Sequence, residues 1–312
     1  KSLQIISKNF KKFKIKRIQS GKKVFDWKVP PEWNVKEAYI LDKNNKKIID
    51  FKKNFLHIIG YSKPIKKKIS KLNLLKILYS DKAQRDAIPY ITSYYKKNYG
   101  FCISENQKEQ IRKIYKNEDK FLINIDSSFK KNGKMYYGEL VLKGKSKQEI
   151  LVSTYICHPG MANNEISGPI VSMCLIDYFS KIKLNKTIRF IFISETIGSI
   201  AYLAHNKNSL KSKCIGGYNL SCIGDERSHS YMLSKNENAL PDKCLVDAYK
   251  KLKIKARKYS FLARGSDERQ YNSPGIDLPV TSIFRSKYGE FIEYHTSLDN
   301  FKLVTKKGID GG

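Results

Sequence analysis

Two histidines, a glutamate and an aspartate follow the ends of predicted strands in this sequence. His158 closes an apolar run that begins at Ile150, and Glu195 follows a second apolar run. Asp225 and His295 each lie in a polar cluster further along the chain. Imidazoles and carboxylates are the groups that bind a hydrolytic zinc, and one carboxylate beside it can act as the general base. This set therefore predicts a hydrolytic metal site.

A second interpretation of the segment around His158 stays open. Pro159 and Gly160 follow the histidine directly, and Asn163, Asn164 and Glu165 come shortly after them. The same residues would suit a buried strand that ends in a Pro-Gly turn, with a polar loop capping the next helix. No spacing here is as diagnostic of zinc as H-E-x-x-H would be. The combination of four separate clusters favours the metal site.

The elements that must position these residues alternate between strand and helix. Apolar, β-rich runs predict strands, and apolar residues on a helical period predict helices. Such alternation is typical of an α/β fold with a mostly parallel sheet, in which sites gather at the carboxyl ends of the strands. The predicted strands are Ile150–Ile156, Thr187–Ile193, Cys214–Cys222 and Leu278–Phe284, and the predicted helices are Ser167–Ile182, Ser199–His205 and Leu240–Leu252.

The region before these elements differs in character and predicts a small inserted domain. It opens with FDWKVPPEW, which holds both tryptophans, and contains the aromatic cluster Tyr90–Tyr99. A hairpin is predicted around Asp42, and Ser104 with Gln107 forms a capping box at a helix start. We therefore predict an inserted domain at 24–115 within a discontinuous α/β domain at 1–23 and 116–312.

Composition narrows the function classes. The 312 residues carry a formal charge of +31, but the lysines are spread through the chain and no nucleic-acid-binding motif is present. We expect a diffuse basic surface and no specific nucleic-acid partner. Six cysteines without a C-x-x-C pair suit a reducing compartment. Without a long apolar run or a signal peptide, the sequence predicts a cytoplasmic protein that spans no membrane, and leaves a homo-oligomer open.

Several runs make a family resemblance specific, and together they extend over nearly the whole chain. The sequence resembles a bacterial aminopeptidase-like family of uncharacterised function, related to zinc aminopeptidases and glutaminyl cyclases. The resemblance implies a three-layer αβα sandwich with a mostly parallel mixed sheet and a small inserted β-rich domain. It also implies a setting among polysaccharide synthesis genes and, in many members, a C-terminal winged helix. The runs are STYICHPGMANNEISGP, ISETIGSIAYL, CIGDERSHSY, SFLARGSDERQYNSPGIDLPV, SKYGEFIEYHTSLDN, FDWKVPPEW and AIPYITSYYKKNYGFC.

The resemblance also implies roles for individual residues. His158 falls on the first metal-binding histidine of the zinc aminopeptidases and His295 on the last. Glu195 falls on the general base, and Asp225 on the aspartate that follows the next strand. On this basis we expect His158, Asp225 and His295 to hold a zinc, with Glu195 accepting a proton from the attacking water.

Two departures from the family pattern limit the number of metal ions. Asn164 stands where the related enzymes have an aspartate that bridges two zincs, and Thr196 stands where they have a glutamate ligand. An amide offers only a neutral carbonyl oxygen, and threonine offers no carboxylate. We therefore expect at most one tightly bound zinc, with Asn164 as a weak further ligand. Glu165 could replace Asn164 if the register differs by one residue.

The favoured function is a zinc-dependent aminopeptidase-like hydrolase of a peptide or amide bond. A catalytically inactive descendant that binds a peptide or an amino-sugar conjugate stays open as the alternative. The loop before the last strand would line the substrate cleft, with Asp267 binding an amine and Arg269 or Arg285 a carboxylate. The competing interpretation of this loop is a set of internal salt bridges.

Overall fold

The structure is a computed structural model that describes residues 1–94 and 96–312, so Tyr95 of the predicted aromatic cluster lies outside the described residues. Its strands, numbered in chain order, are β1 (Lys14–Gln19), β2 (Lys23–Val24), β3 (Trp27–Lys28), β4 (Glu32–Leu41), β5 (Lys47–Asp50), β6 (Ile65–Ser70), β7 (Leu78–Tyr79), β8 (Phe101–Cys102), β9 (Lys120–Lys130), β10 (Lys134–Leu142), β11 (Ser146–Tyr155), β12 (Lys186–Ile193), β13 (Cys214–Leu220), β14 (His229–Met232), β15 (Ala256–Tyr259) and β16 (Val280–Phe284).

The helices follow the same order. The α-helices are α1 (Ser2–Asn9), α2 (Lys71–Lys76), α3 (Glu105–Ile114), α4 (Ser167–Ser180), α5 (Ile197–Lys213), α6 (Leu240–Lys251), α7 (Glu268–Tyr271) and α8 (Lys306–Asp310), with short 3-10 turns at Phe55–His57 and Phe261–Ala263 and a π-helical turn at Ala162–Ile166.

The larger sheet has eight strands in the order β1-β10-β12-β11-β13-β16-β14-β15. Its centre is parallel, because β11 pairs in parallel with both β12 and β13, and β13 does so with β16. Side chains of β12 alternate between two cores: Ile191 and Ile193 pack on one face, and Phe190 and Phe192 on the other. Helices therefore cover both faces, which confirms the predicted three-layer α/β class.

The smaller sheet is antiparallel in the order β5-β4-β9-β6. The predicted hairpin between β4 and β5 and the capping box at Ser104 are both confirmed. Strand β9 pairs here, although the predicted boundary at residue 115 assigns it to the larger domain. The reason is packing, since Phe121, Ile123 and Ile125 point into the core of the smaller sheet. The division into domains itself stays a prediction.

Helix α2 is short: it ends at Lys76, and β7 follows it at Leu78. The chain leaves the helix because Leu78 pairs with Phe101 in a short two-stranded sheet. Within residues 1–94 and 96–312, no helix combines the length and the apolar character that a bilayer crossing needs.

A network of buried charges ties the centre of the larger sheet together. Arg189 of β12 donates to Glu149 of β11 through Nε at 2.7 Å and to Glu139 of β10 at 2.6 Å. Tyr202 of α5 also donates to Glu139, at 2.9 Å, and Lys16 pairs with the same carboxylate. The Arg189 side chain is 16% exposed and the two glutamates 6% and 8%. These charges are therefore held by one another and not by solvent.

We expect Arg189→Met to lower the free energy of unfolding by about 3–5 kcal/mol, because it leaves two buried carboxylates without their shared cation. The matched control is Lys181→Met, which removes an exposed pair with Asp177 in which the side chains are 67% and 59% exposed. That change should cost no more than about 0.5 kcal/mol. Urea denaturation of the three proteins measures both effects. Equal losses in the two variants would contradict the role given to Arg189.

Candidate active site at the carboxyl edge of the larger sheet

The parallel pairing of β11 with β12 brings the first two site residues together. Tyr155 lies opposite Ile193 in the register, and the chain leaves both strands at the same edge. Two residues further on, the backbone N–H of Glu195 donates to Cys157 Sγ at 3.3 Å. The neighbouring His158 is 3% exposed. The edge therefore carries a buried imidazole beside a carboxylate, as the sequence predicts.

His158 lies between two carboxylates. Its Nε2 is 3.6 Å from Glu195 Oε2, and its Nδ1 is 3.5 Å from Glu165 Oε2. The same oxygen of Glu165 accepts the backbone N–H groups of Cys157 at 2.9 Å and of His158 at 2.7 Å. Cys157 Sγ lies 3.6 Å from His158 Nδ1. Glu165, which follows Asn164 directly, thus supplies the carboxylate beside His158 Nδ1.

The second predicted histidine faces the first. The rings of His158 and His295 have their centres 5.2 Å apart and are tilted by 36°. Tyr90 packs edge-on against both rings, and Tyr294 stacks on His295 at 3.9 Å. The backbone of His295 has φ of 55°, which a residue with a side chain rarely adopts. The surrounding packing therefore imposes the position of this imidazole.

The two imidazoles are pushed towards opposite protonation states. Burial alone would lower the pKa of His158, but Cys157, Glu165 and Glu195 around it raise that pKa well above its ordinary value. Burial, together with the charge on the nearby His158, lowers the pKa of His295 to about 3. His295 Nε2 is buried and has no partner among the described residues. It therefore presents a neutral nitrogen to the site.

Glu195 has the properties of a proton acceptor. Its carboxylate is mostly buried, and burial raises its pKa above the ordinary glutamate value. Ser266 Oγ donates to Glu195 Oε1 at 2.5 Å and so fixes the carboxylate. Burial also raises the pKa of Glu165.

Asp267, predicted to bind a substrate amine, lies behind this site. It is fully buried, and its Oδ1 accepts the N–H of Thr196 and the hydroxyl of Ser199, each at 2.8 Å. Thr196 has φ of 60°, a strained value for a β-branched residue. Burial and the nearby Glu195 raise the pKa of Asp267 to about 8. The structure thus places Asp267 where it holds the turn that carries Glu195.

Asp225, predicted as a metal ligand, is saturated by protein donors. Its oxygens accept the Asn163 side chain at 3.0 Å, the N–H and hydroxyl of Ser286 at 2.9 and 2.8 Å, and the N–H of Arg227 at 2.9 Å. These bonds leave the carboxylate little capacity for an ion. Its assignment as a ligand stays a prediction that the geometry does not favour.

Asn164 is placed differently. Asp299 accepts its backbone N–H at 2.9 Å, and its side-chain amide donates to Tyr155 at 3.3 Å. Its buried Oδ1 has no partner among the described residues. The amide oxygen is therefore free to act as a weak ligand, as the sequence analysis expects.

His158 belongs to a close group of possible metal donors. Within residues 1–94 and 96–312, one set of three His, Cys, Asp or Glu side chains has all its ligand atoms within 4.8 Å of one another, and it consists of Cys157, His158 and Glu165. Thiolate, imidazole and carboxylate are all zinc donors. The residues present therefore fit one zinc at His158, with His295 facing the same space from outside this group.

A cavity of about 770 Å³ opens beside Glu195 and Cys157. Arg269 of α7 lines this cavity. Arg285, the other predicted substrate residue, lies elsewhere, with its guanidinium 2.6 Å from His229 Nε2. Part of the cavity is an aromatic wall, formed by Trp27, Trp33, Tyr61, Tyr90, Tyr94 and Tyr136.

The sequence analysis missed three residues of the site. Cys157 could have been named from the sequence, since it directly precedes the candidate ligand His158. Ser266 lies in the loop named as a substrate cleft, but nothing in its spacing pointed to Glu195. Tyr90 lies in the predicted inserted domain, 68 residues before His158, so only the folded chain shows their contact.

A family model described as a domain of unknown function (DUF4910) matches residues 1–312. A Clostridium acetobutylicum protein, provisionally named a polysaccharide biosynthesis protein with an aminopeptidase-like domain, is 40% identical over 309 residues, which cover 99% of this chain and 69% of that protein.

Solved structures agree with the family match. The crystal structure of a provisionally named peptidase from Clostridium acetobutylicum has a TM-score of 0.93 at 39% identity and covers 99% of this chain and 71% of its own. A zinc aminopeptidase from Bacillus subtilis has a TM-score of 0.66 at 12% identity, covering 99% of this chain and 85% of its own. The second likeness concerns the fold alone. Together they confirm the resemblance and the aminopeptidase-like architecture.

The raised pKa of Asp267, about 8, gives the folded chain a distinct pH dependence. An unfolded aspartate titrates near pH 4, so between about pH 4 and 8 the folded state holds the proton more tightly. The resulting stabilisation is complete below that window and is lost as pH rises through it, by up to about 1.4 kcal/mol per pH unit. Asp267→Asn should flatten this slope.

Urea unfolding at several pH values between about 5 and 8 measures that slope. Asp247→Asn on the exposed face of α6 is the matched control and should keep the wild-type slope. The same slope in all three proteins would contradict a shifted Asp267.

Proposed function

The chain belongs to the DUF4910 family, and from that premise and the geometry of its site we propose that it is a metal-dependent, aminopeptidase-like hydrolase of a peptide or amide bond. The observation that carries the proposal is the convergence of His158, His295 and Glu195 at one sheet edge beside a cavity. The printed names of the relatives, peptidase and zinc aminopeptidase, support it. The name of the Clostridium acetobutylicum relative also agrees with a polysaccharide synthesis setting.

Zinc is the metal that the proposed function requires. His158 and Glu165 would hold the ion, and His295 presents its neutral, unpaired nitrogen from across the site. When bound, zinc supplies a Lewis acid that polarises an amide carbonyl. One ion is proposed because Asn164 and Thr196 bring no negative charge to hold a second.

Glu195 is the proposed general base. A base works best when its pKa lies near the working pH, and burial moves the pKa of this carboxyl in that direction. Its side chain reaches the cavity, while Ser266 fixes one oxygen and leaves the other towards His158. In this position Glu195 takes a proton from the attacking water and passes it to the leaving amine.

The cavity suggests how a substrate would be oriented. Its aromatic wall offers flat apolar surfaces on which a ring or an apolar side chain can stack. Arg269 is exposed at this wall, and its guanidinium has no acceptor among the described residues. A guanidinium binds a carboxylate with two parallel hydrogen bonds. We therefore propose that Arg269 holds the carboxylate end of a peptide-like substrate.

Glu195→Gln should lower turnover of a panel of aminoacyl-4-nitroanilides by about 10²–10⁴-fold, because the amide cannot accept a proton. Zinc content, measured by mass spectrometry on protein purified without chelator, should stay at the wild-type level. The matched control, Glu118→Gln, alters an exposed glutamate and should change neither quantity. Unchanged turnover in Glu195→Gln would reject Glu195 as the base.

Arg269→Gln should raise KM by about 10- to 100-fold for dipeptides with a free terminal carboxylate, since a charged hydrogen bond is lost. The same dipeptides with an amidated terminus should be hydrolysed equally well by wild type and variant. Arg264→Gln is the control, because the Arg264 guanidinium already packs over Phe261 at 5.0 Å. A similar rise in KM for both kinds of dipeptide would count against carboxylate recognition.

A further inference from the structure

We propose that Cys157 is a thiolate ligand of the metal, so that Cys157, His158 and Glu165 form a three-residue zinc site. The inference rests on the proposed metal dependence and adds a ligand that the predicted set of His158, Asp225, His295 and Asn164 does not contain. It follows from the one group of three donors gathered within 4.8 Å in the described part of the chain.

The distances in this group are those of a tetrahedral site. Zinc binds thiolate sulfur at about 2.3 Å, imidazole nitrogen at about 2.0–2.1 Å and carboxylate oxygen at about 2.0–2.2 Å. At tetrahedral angles these lengths give about 3.6 Å between sulfur and nitrogen and about 3.4 Å between nitrogen and oxygen. The observed distances from His158 Nδ1 are 3.6 Å to Cys157 Sγ and 3.5 Å to Glu165 Oε2. Both are measured from the same ring nitrogen.

The local backbone holds the three donors in place. Cys157 and His158 are consecutive residues that leave β11, and the two backbone N–H groups both donate to Glu165 Oε2. A carboxylate has about four lone-pair positions on its two oxygens, and both of these bonds fall on Oε2, so Oε1 keeps its capacity for an ion. Ordering the donors before the ion arrives lowers the entropic cost of binding it.

The charge of the group suits a dication. Asn164 and Thr196 supply no carboxylate, and the protein donors on Asp225 occupy its oxygens. A Cys157 thiolate and the Glu165 carboxylate together bring two negative charges to His158. Binding would release the thiol proton to solvent, as it does for other cysteine ligands.

The site would also be open to substrate. Three protein ligands leave one tetrahedral position for a water or a substrate, which is the pattern of catalytic rather than structural zinc. Cys157 and Glu195 both line the large cavity, so a substrate bound there would reach the proposed ligand and the proposed base together. The exposed Cys174 of α4 lies in no such group.

Cobalt substitution tests the assignment without relying on activity. The full chain is stripped with a chelator and titrated with Co²⁺. We expect one Co²⁺ per chain, visible d–d absorption of a four-coordinate ion, and a near-ultraviolet thiolate-to-cobalt charge-transfer band. Cys157→Ser should lose the charge-transfer band, keep d–d absorption and bind Co²⁺ about tenfold or more weakly. Cys174→Ser should match the wild type in all three respects.

The outcomes separate this proposal from the proposed function. One bound Co²⁺ without a charge-transfer band in the wild type, or a band that persists in Cys157→Ser, would overturn the cysteine ligand and leave metal dependence standing. A chain that binds no Co²⁺ would overturn both. Because the wild-type spectrum alone can reject the assignment, the test does not depend on the folding of the variant.

Discussion

The site depends on the register between β11 and β12. Tyr155 lies opposite Ile193, so the two strands end together and deliver Cys157 and Glu195 to the same point of the sheet edge. A slip of one residue would exchange the core-facing and opposite faces of a strand. The cost of such a slip is high here, because Phe190 and Ile191 belong to different cores and both are fully buried. Packing on two faces of one strand therefore fixes the position of the Glu195 carboxylate, two residues beyond its end.

Strand β12 also contributes Arg189 to a buried charge cluster, which differs from the site in how completely its charges are paired. Arg189, with Tyr202 and Lys16, satisfies Glu139 and Glu149, so that cluster is closed and structural. At the sheet edge the pairing is incomplete: His158 has carboxylates on both sides at 3.5 and 3.6 Å, and His295 Nε2 has no partner in the part of the chain that the structure describes. Buried polar groups are normally satisfied, and exceptions concentrate where a ligand completes them. Unsatisfied buried groups and the strained backbone of Thr196 and His295 both occur at this edge and support its assignment as the functional one.

Hydrophobic periodicity and the positions of strand ends predicted which residues lie at this edge of the sheet. His158 and Glu195 follow strands whose parallel pairing the alternation with helices already implied, and His295 was found because a polar cluster follows the last strand. Side-chain direction was beyond that reasoning. Asp267 and Asp225 are the right residue types near the right edge, but spacing could not indicate that Asp267 Oδ1 accepts from Thr196 and Ser199 or that Asp225 accepts from Ser286. The choice between Asn164 and Glu165 as the candidate ligand could be posed from the sequence but not decided. It depends on which side chain of a π-helical turn faces His158.

The predicted inserted domain contributes to this site through backbone hydrogen bonds as well as through side chains that line the cavity. Tyr90 N–H donates to the carbonyl of His295 at 2.7 Å, Ser297 N–H donates to the carbonyl of Ile88 at 2.9 Å, and Pro89 bridges to Thr296. Residues 88–90 thus lie along the loop of the second imidazole as a short antiparallel strand would. Tyr90, which packs against both histidines and lines the cavity, belongs to the same segment as these bonds. A substrate that displaced Tyr90 would therefore act on a segment that is hydrogen-bonded to the backbone of His295.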